Sequence, residues 1–348
     1  MGIKVNARCT CGPHSSFHPF KIERRDLEPH DVLIDIAFSG ICHSDIDHAD
    51  QVRGTTFYPL VPGHEIAGIV SEVGKDVTKF SVGDRVGVGC MVDSCRECAS
   101  CRAGLEQYCL GRRVMTYNSL GRDGEPTHGG YSEKIVVDED FVLRIPDGIS
   151  LQTAAPLFCA GITLYSPLRR WTVKKDTRVG IIGFGGLGHV GSQISRALGA
   201  HTTVFELSGA KRDDALRLGA DDFRLVSDPR TFEELASSLD LIISTVPASI
   251  DIDAVLGMLR VDGTLVNLGV PEKPLSVNAV SLLNNRRSVA GSRSGGMRET
   301  QEMIDFCVEH AIGAEVEVVH ADDIDAAYER LRKGDVRYRF VIDVSSMS

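Results

Sequence analysis

The chain is 348 residues long, enough for two domains, and its 43% hydrophobic and 25% charged content is that of an ordinary globular protein in water. A formal net charge of −10 opposes binding to nucleic acid, whose phosphates require a basic surface, and to anionic membranes. No apolar run approaches the length of a membrane span, and the first twenty residues lack the apolar core of a secretory signal, so a cytoplasmic location is expected.

In chain order, residues 31–40 (DVLIDIAFSG), 64–73 (HEIAGIVSEV), 84–89 (DRVGVG) and 133–138 (EKIVVD) read as strands rich in β-branched residues and separated by glycine-bearing turns. This first part is β-rich and irregular. From residue 178 the pattern changes to alternation: the strand TRVGIIG, a helix to about 198, TTVFEL, a helix over 211–218, LDLIISTV, a helix over 251–259, GTLVNLG and SVAGS. Alternation of this kind predicts an α/β, doubly wound parallel sheet with helices on both faces. A helix near 299–310, a strand EVEVVH, a helix near 323–333 and a last strand RFVIDV then return to the first domain. The expected division is 1–152 with 288–348 for the β-rich domain, with a cysteine lobe over 90–112, and 153–287 for the parallel-sheet domain.

Cys95, Cys98, Cys101 and Cys109 form a C-x2-C-x2-C-x7-C run. Four thiolates this close together suit tetrahedral S4 coordination of Zn2+, and a closed shell of sulfur points to a structural ion rather than a reactive one. Of the ten cysteines, Cys9, Cys11, Cys90 and Cys307 fall outside every ligand group, which fits a reducing cytosol. Cys9 and Cys11 read as exposed spectator thiols, with a minor metal or redox pair as the alternative.

Gly183, Gly185 and Gly188 make a G-x-G-x-x-G after the apolar strand VGII and at the start of a helix, the context a dinucleotide site needs. The first glycine permits the turn, the second lets backbone approach a pyrophosphate, and the third lets helix pack on strand. Glu206 ends the next strand, where an acid accepts hydrogen bonds from the adenine ribose hydroxyls and repels a 2′-phosphate. NAD(H) is therefore favoured, while Lys211 and Arg212, read mainly as a solvated helix start, allow NADP(H). A third constellation is Cys42-His43-Ser44-Asp45 with Gly63-His64-Glu65. Cys42 and His64 can supply two ligands of a catalytic zinc, which wants three and an open position. Spacing does not name the third; Cys159, at the junction of the two domains, is a candidate.

Together GICHSD, VPGHE, the four-cysteine run, LFCAGITLYSPL and GFGGLGH resemble the zinc-dependent medium-chain alcohol dehydrogenases, most closely the cinnamyl-alcohol-dehydrogenase-like branch. TYNSLG and VRYRFVID fit the same branch, and the resemblance runs from about residue 20 to 345. It implies a GroES-like catalytic domain formed by both chain ends and a Rossmann domain between them. It implies two Zn2+ per chain: a catalytic ion on Cys42, His64 and Cys159, with Glu65 as a nearby or alternate ligand, and a structural ion on the four-cysteine run. It further implies that Ser44 begins a proton relay, that Asp45 supports a zinc ligand, and that His43, Thr163, Gly186 and Leu187 join the glycines and Lys211 in binding cofactor. A small alcohol or aldehyde is the implied substrate and a homodimer the implied assembly.

Three positions depart from that branch. Asp47 stands where a relay histidine is usual, with His48 beside it, so either could carry the proton. Arg53 replaces a common pocket tryptophan, and Met115 replaces an aromatic before TYN, which weakens the case for a phenylpropenyl substrate. Arg53 is read first as an exposed loop residue and second as a partner for an acidic or polar carbonyl or imine. The other readings are a zinc-free quinone or enone reductase of the same superfold and a zinc-stabilised binding module.

Overall fold

The computed structural model describes residues 2–347. They form two compact units, one of residues up to 162 together with those from 295 on, and one of residues 163–294. Both seams lie later than the sequence placed them. Residues 151–158 pack on the first unit's sheet, where Phe158 lies so close to Gly87 that a Cβ there would meet its ring at 2.1 Å. Ser288–Gly291, read from sequence as part of the parallel-sheet alternation but left by the expected division in the catalytic domain, is the edge strand of the second unit's sheet, paired in parallel with Leu259–Asn267.

The first unit is built on a seven-stranded sheet whose spine is the eleven-residue strand Asp31–Ile41. Its near-continuous apolar run buries residues on both faces. Ile66–Val73 and Lys134–Asp138 pair with it antiparallel, and so does the C-terminal strand Arg339–Asp343, with Phe340 opposite Ile41. This last pairing brings residues from the end of the chain beside residues near its start. The core cluster includes Val32, Ile34, Ile36, Tyr131, Tyr328, Phe340 and Ile342. A hairpin of Ile3–Cys9 and His18–Arg24 lies outside that sheet, with Ile3 opposite Arg24 and Cys9 opposite His18. A short pair, Met91–Asp93 with Val114–Met115, flanks the cysteine lobe.

The second unit is a six-stranded, all-parallel sheet. Across the sheet the strands run Asp222–Leu225, His201–Glu206, Arg178–Ile182, Leu239–Ser244, Leu259–Asn267 and Ser288–Gly291. This is the third-second-first-fourth-fifth-sixth order of a dinucleotide-binding sheet, whose switch point lies between the first and fourth strands. Asp222–Leu225 was not predicted, because its alternation of acid, aromatic, base and leucine carries no strand signal of its own. No described helix is long and apolar enough to cross a membrane.

Candidate active site and cofactor site

Cys42 follows the spine strand and stands at the N-cap of the helix His43–Ala49. Asp45, in that helix's first turn, accepts a hydrogen bond from the Cys42 backbone N–H at 2.8 Å. Its other oxygen lies 3.0 Å from His64 Nδ1 and accepts from the Gly63 N–H at 3.3 Å. Tyr131 Oη donates to the same carboxylate at 3.5 Å, and Asp45 is fully buried. A carboxylate on Nδ1 keeps a proton on that nitrogen, so Nε2 is the nitrogen turned toward the thiols and the one that would give up its proton to a metal. Gly63 makes the tight approach to His64 with φ of +105°, where a Cβ would meet Tyr131 at 2.7 Å.

His64 Nε2 lies 3.2 Å from Cys159 Sγ, and Cys159 Sγ lies 3.9 Å from Cys42 Sγ. One donor atom each from Cys42, His64, Glu65 and Cys159 falls within 4.8 Å of the others. Two buried thiols so close compete for one charge. The hydrogen bond from Cys159, with help from Arg339 and His64, draws Cys42 well below its ordinary value, and Cys159 is pushed well above for the same reason. Burial works against a charged His64, but Asp45 and the neighbouring thiols hold it well above 6.5. A buried group of two thiols and an imidazole, with one negative charge already favoured, is a donor set that fits Zn2+.

Glu65 is wholly buried and forms an ion pair with buried Arg339, which arrives on the C-terminal strand. Its second oxygen, Oε2, has no hydrogen-bond partner among the described residues. The sequence reading missed Arg339. The available signal was an arginine heading the apolar run FVI of the strand Arg339–Asp343, where a charge needs a buried partner.

Ser44 Oγ donates to Cys42 Sγ at 3.2 Å and lies 3.5 Å from His64 Nε2, while Tyr117 Oη donates to the Ser44 carbonyl at 3.3 Å. His48, one turn on, packs edge-on against Tyr117 with ring centroids 5.3 Å apart. Its Nδ1 is 3.0 Å from Asn118 Nδ2, and burial lowers its pKa. Asp47 instead faces Arg53, whose Nε donates to it at 2.6 Å. His43 is exposed and Met115 half-buried.

In the cysteine lobe, Cys95, Cys98, Cys101 and Cys109 bring their sulfurs within 4.8 Å of one another. Backbone N–H groups of Cys95, Cys98 and Leu110 each donate to a sulfur at 3.4 Å. Backbone donation from Cys101 and Leu110 takes Cys98 down to about 6, whereas burial pushes Cys101 up to about 12. Preformed N–H donors of this kind suit sulfurs that carry negative charge.

In the second unit Gly183 turns the chain off its strand at φ +94°, and a Cβ there would meet Val246 at 2.6 Å. Gly188 opens the helix Gly188–Ala197 so close that a Cβ would lie 2.0 Å from the Gly183 carbonyl oxygen. Gly185 has open space where its side chain would stand, as a phosphate cradle requires. Glu206 accepts from the Phe184 N–H at 2.7 Å and from its neighbour Leu207 at 3.1 Å, and Lys211 Nζ lies 3.3 Å away. Thr163 lies in the helix Ala160–Arg170 of the same chain, half-buried.

Residues 28–147 match the alcohol dehydrogenase GroES-like domain family, and residues 186–309 match the zinc-binding dehydrogenase family. The chain belongs to the zinc-type medium-chain alcohol dehydrogenases. Within them it falls in the cinnamyl-alcohol-dehydrogenase-like branch. It is 58% identical over 327 residues to the NADP-dependent alcohol dehydrogenase C 1 of Mycolicibacterium smegmatis, covering 94% of each chain. It is 55% identical over 333 residues to a probable formaldehyde dehydrogenase of Bacillus subtilis, covering 96% of this chain and 95% of that one. Among solved structures, a cinnamyl alcohol dehydrogenase of Sorghum bicolor matches with a TM-score of 0.95 at 42% identity, covering 99% of this chain and 98% of that one. The Helicobacter pylori CAD complexed with NADP(H) matches with a TM-score of 0.93, also at 42% identity, covering 99% of each. The dehydrogenase thus joins a GroES-like unit to a Rossmann unit.

Proposed function

We propose that this NAD(P)-dependent alcohol dehydrogenase interconverts a primary alcohol and its aldehyde at a zinc site made by Cys42, His64 and Cys159. The observation that carries the reading is the buried Cys42–His64–Cys159 group, with His64 oriented by Asp45. When bound, zinc would supply Lewis acidity to the reacting oxygen, and the nicotinamide would supply or accept the hydride. Asp45 keeps a proton on His64 Nδ1, so Nε2 is the atom that would turn to the metal once its own proton leaves. Ser44 Oγ, beside Cys42 and His64, is the hydroxyl that exchanges a proton with the substrate oxygen. Of the two relay candidates we favour His48, held by Asn118 against Tyr117, because Asp47 is engaged by Arg53. The same ion pair occupies the Arg53 guanidinium, which supports a neutral carbonyl substrate over an acidic one. Glu65 is held by Arg339 and stands as a nearby or alternate ligand, its Oε2 uncommitted.

The second zinc is assigned to Cys95, Cys98, Cys101 and Cys109, on the strength of their closed sulfur shell. Cofactor binding is assigned to Gly183, Gly185, Gly186, Leu187, Gly188, Glu206 and Lys211, with His43 and Thr163. We further propose a preference for NAD(H), carried by Glu206, whose carboxylate opposes a 2′-phosphate. Lys211 pulls the other way, and the Mycolicibacterium relative is described as NADP-dependent, so the contrast is sharp. Ten free cysteines support a reducing cytoplasm. A homodimer is supported by the open edge strand Ser288–Gly291 and by exposed Val280 and Leu283 in the adjoining segment.

The test combines metal analysis with a panel of aliphatic and aromatic aldehydes assayed with NADH and NADPH. Two zinc ions per chain, one removable with loss of turnover but not of fold, is the expected result. A single tightly held zinc, or turnover that survives Cys42→Ser, would refute the active site. A higher kcat/KM with NADPH would refute the cofactor preference alone.

A further inference from the structure

We infer that Cys9, Cys11 and His18 form a third metal site, for a borderline-soft d10 cation of the Zn2+ class, at the mouth of the N-terminal hairpin. None of the three belongs to either family zinc site. Cys9 was read from sequence as an exposed spectator thiol, and the structure buries it completely, while Cys11 and His18 are exposed. One donor atom from each lies within 4.8 Å of the other two.

The spacing is that of a coordination sphere. Tetrahedral ligation with Zn–S of about 2.3 Å and Zn–N of about 2.0–2.1 Å places sulfur and nitrogen roughly 3.5 Å apart. His18 Nε2 lies 3.4 Å from Cys9 Sγ and 3.7 Å from Cys11 Sγ. The chain provides its own standard: His64 Nε2 lies 3.2 Å from Cys159 Sγ in the catalytic group.

The backbone prearranges the donors. Cys9 and His18 are directly opposite residues in the hairpin register. Thr10 is bridged through its backbone N–H and C=O to Leu60, at 3.0 and 2.9 Å, and its hydroxyl donates to the Ser15 carbonyl at 2.9 Å. The far side of the loop is tied by the Phe17 N–H donating to Asp325 at 3.1 Å, and His14 lies 3.1 Å from Asp50. Cys11 is thus carried on a loop fixed at both ends. Three protein donors on a half-buried, half-open face leave one position for water, and two thiolates with a neutral imidazole select against Mg2+ and Ca2+.

The experiment uses the enzyme with its resident zinc, reduced without oxygen and equilibrated with buffered micromolar Zn2+, then counted by atomic emission. The wild type is expected to hold one more zinc per chain than Cys11→Ser or His18→Gln, while His14→Gln holds as much as the wild type and all retain turnover. Cd2+ added to the wild type should likewise give a thiolate-to-metal ultraviolet band that both variants lack, a readout that needs no variant to establish binding. Equal zinc in the wild type and the two variants overturns the proposal. So does an absent cadmium band in the reduced wild type, and that result together with loss of two titratable thiols in air identifies a redox pair instead.

Discussion

At the scale of single residues, the second rank of contacts decides how the donors behave. Asp45 is used four times over, by Cys42, Gly63, His64 and Tyr131, and the two family motifs GICHSD and VPGHE meet on its two oxygens. Asp45→Asn keeps the volume but loses the charge that holds His64, so zinc affinity or turnover should fall about 10–100-fold; metal competition and kcat read this directly. Arg339→Gln leaves Glu65 buried without its counter-charge. Stability should fall by about 3–5 kcal/mol, and Glu65→Gln added to Arg339→Gln should recover part of that loss, as urea midpoints will show. A pH effect arises away from the metal. Burial, and then the Arg24 guanidinium, lower His128 from 6.5 to about 4. Between those values the unfolded chain binds a proton that the folded chain refuses, so this residue's contribution is complete above pH 6.5 and is lost as pH falls toward 4. Relative to its own value at pH 7, the wild type should lose about 1–2 kcal/mol more than His128→Asn on reaching pH 5.

At the scale of elements, legibility followed the locality of the signal. Glycine, cysteine and apolar periodicity act over a few residues, and the strands at Asp31–Ile41, Ile66–Val73 and Arg178–Ile182 emerged with ends displaced by at most two residues. Donor groups held within one loop, as in the cysteine lobe, were legible from spacing alone. Cys159 was not, because its approach to Cys42 across 117 residues is set by the packing of residues 151–158 on the spine strand. Arg339 was missed for the same reason, since 274 residues separate it from Glu65. Asp47 shows the converse case: family position suggests a relay group, and the structure adds an arginine that donates to its carboxylate, which the spacing did not foretell. The cysteine lobe has little apolar core of its own, and Cys98 and Cys109 are only half-buried. The zinc proposed for this lobe would supply the order that its small core does not. Cys98→Ser should therefore lose one zinc and expose the lobe to limited proteolysis. Cys42→Ser should lose turnover in a chain whose proteolytic pattern is unchanged, which separates the brace from the reaction site.

At the scale of the whole molecule, the parallel sheet leaves an edge that must be managed. Ser288–Gly291 is paired on one side by Leu259–Asn267, and among the described residues no strand pairs with its other side. The helix Ala279–Leu283 leading to it has no buried residue, and Leu283 is 77% and Val280 55% exposed. Apolar side chains beside an open strand are covered at little desolvation cost when a second copy presents the same face, because a two-fold axis makes such a patch self-complementary. The proposed homodimer is thus expected to join through residues 279–291. Leu283→Asp puts a charge at the centre of that patch without touching either metal group. Light scattering should give a dimer for the wild type and a monomer for the variant, with each chain retaining its zinc. A variant that stays dimeric at micromolar concentration would show that the subunits meet elsewhere.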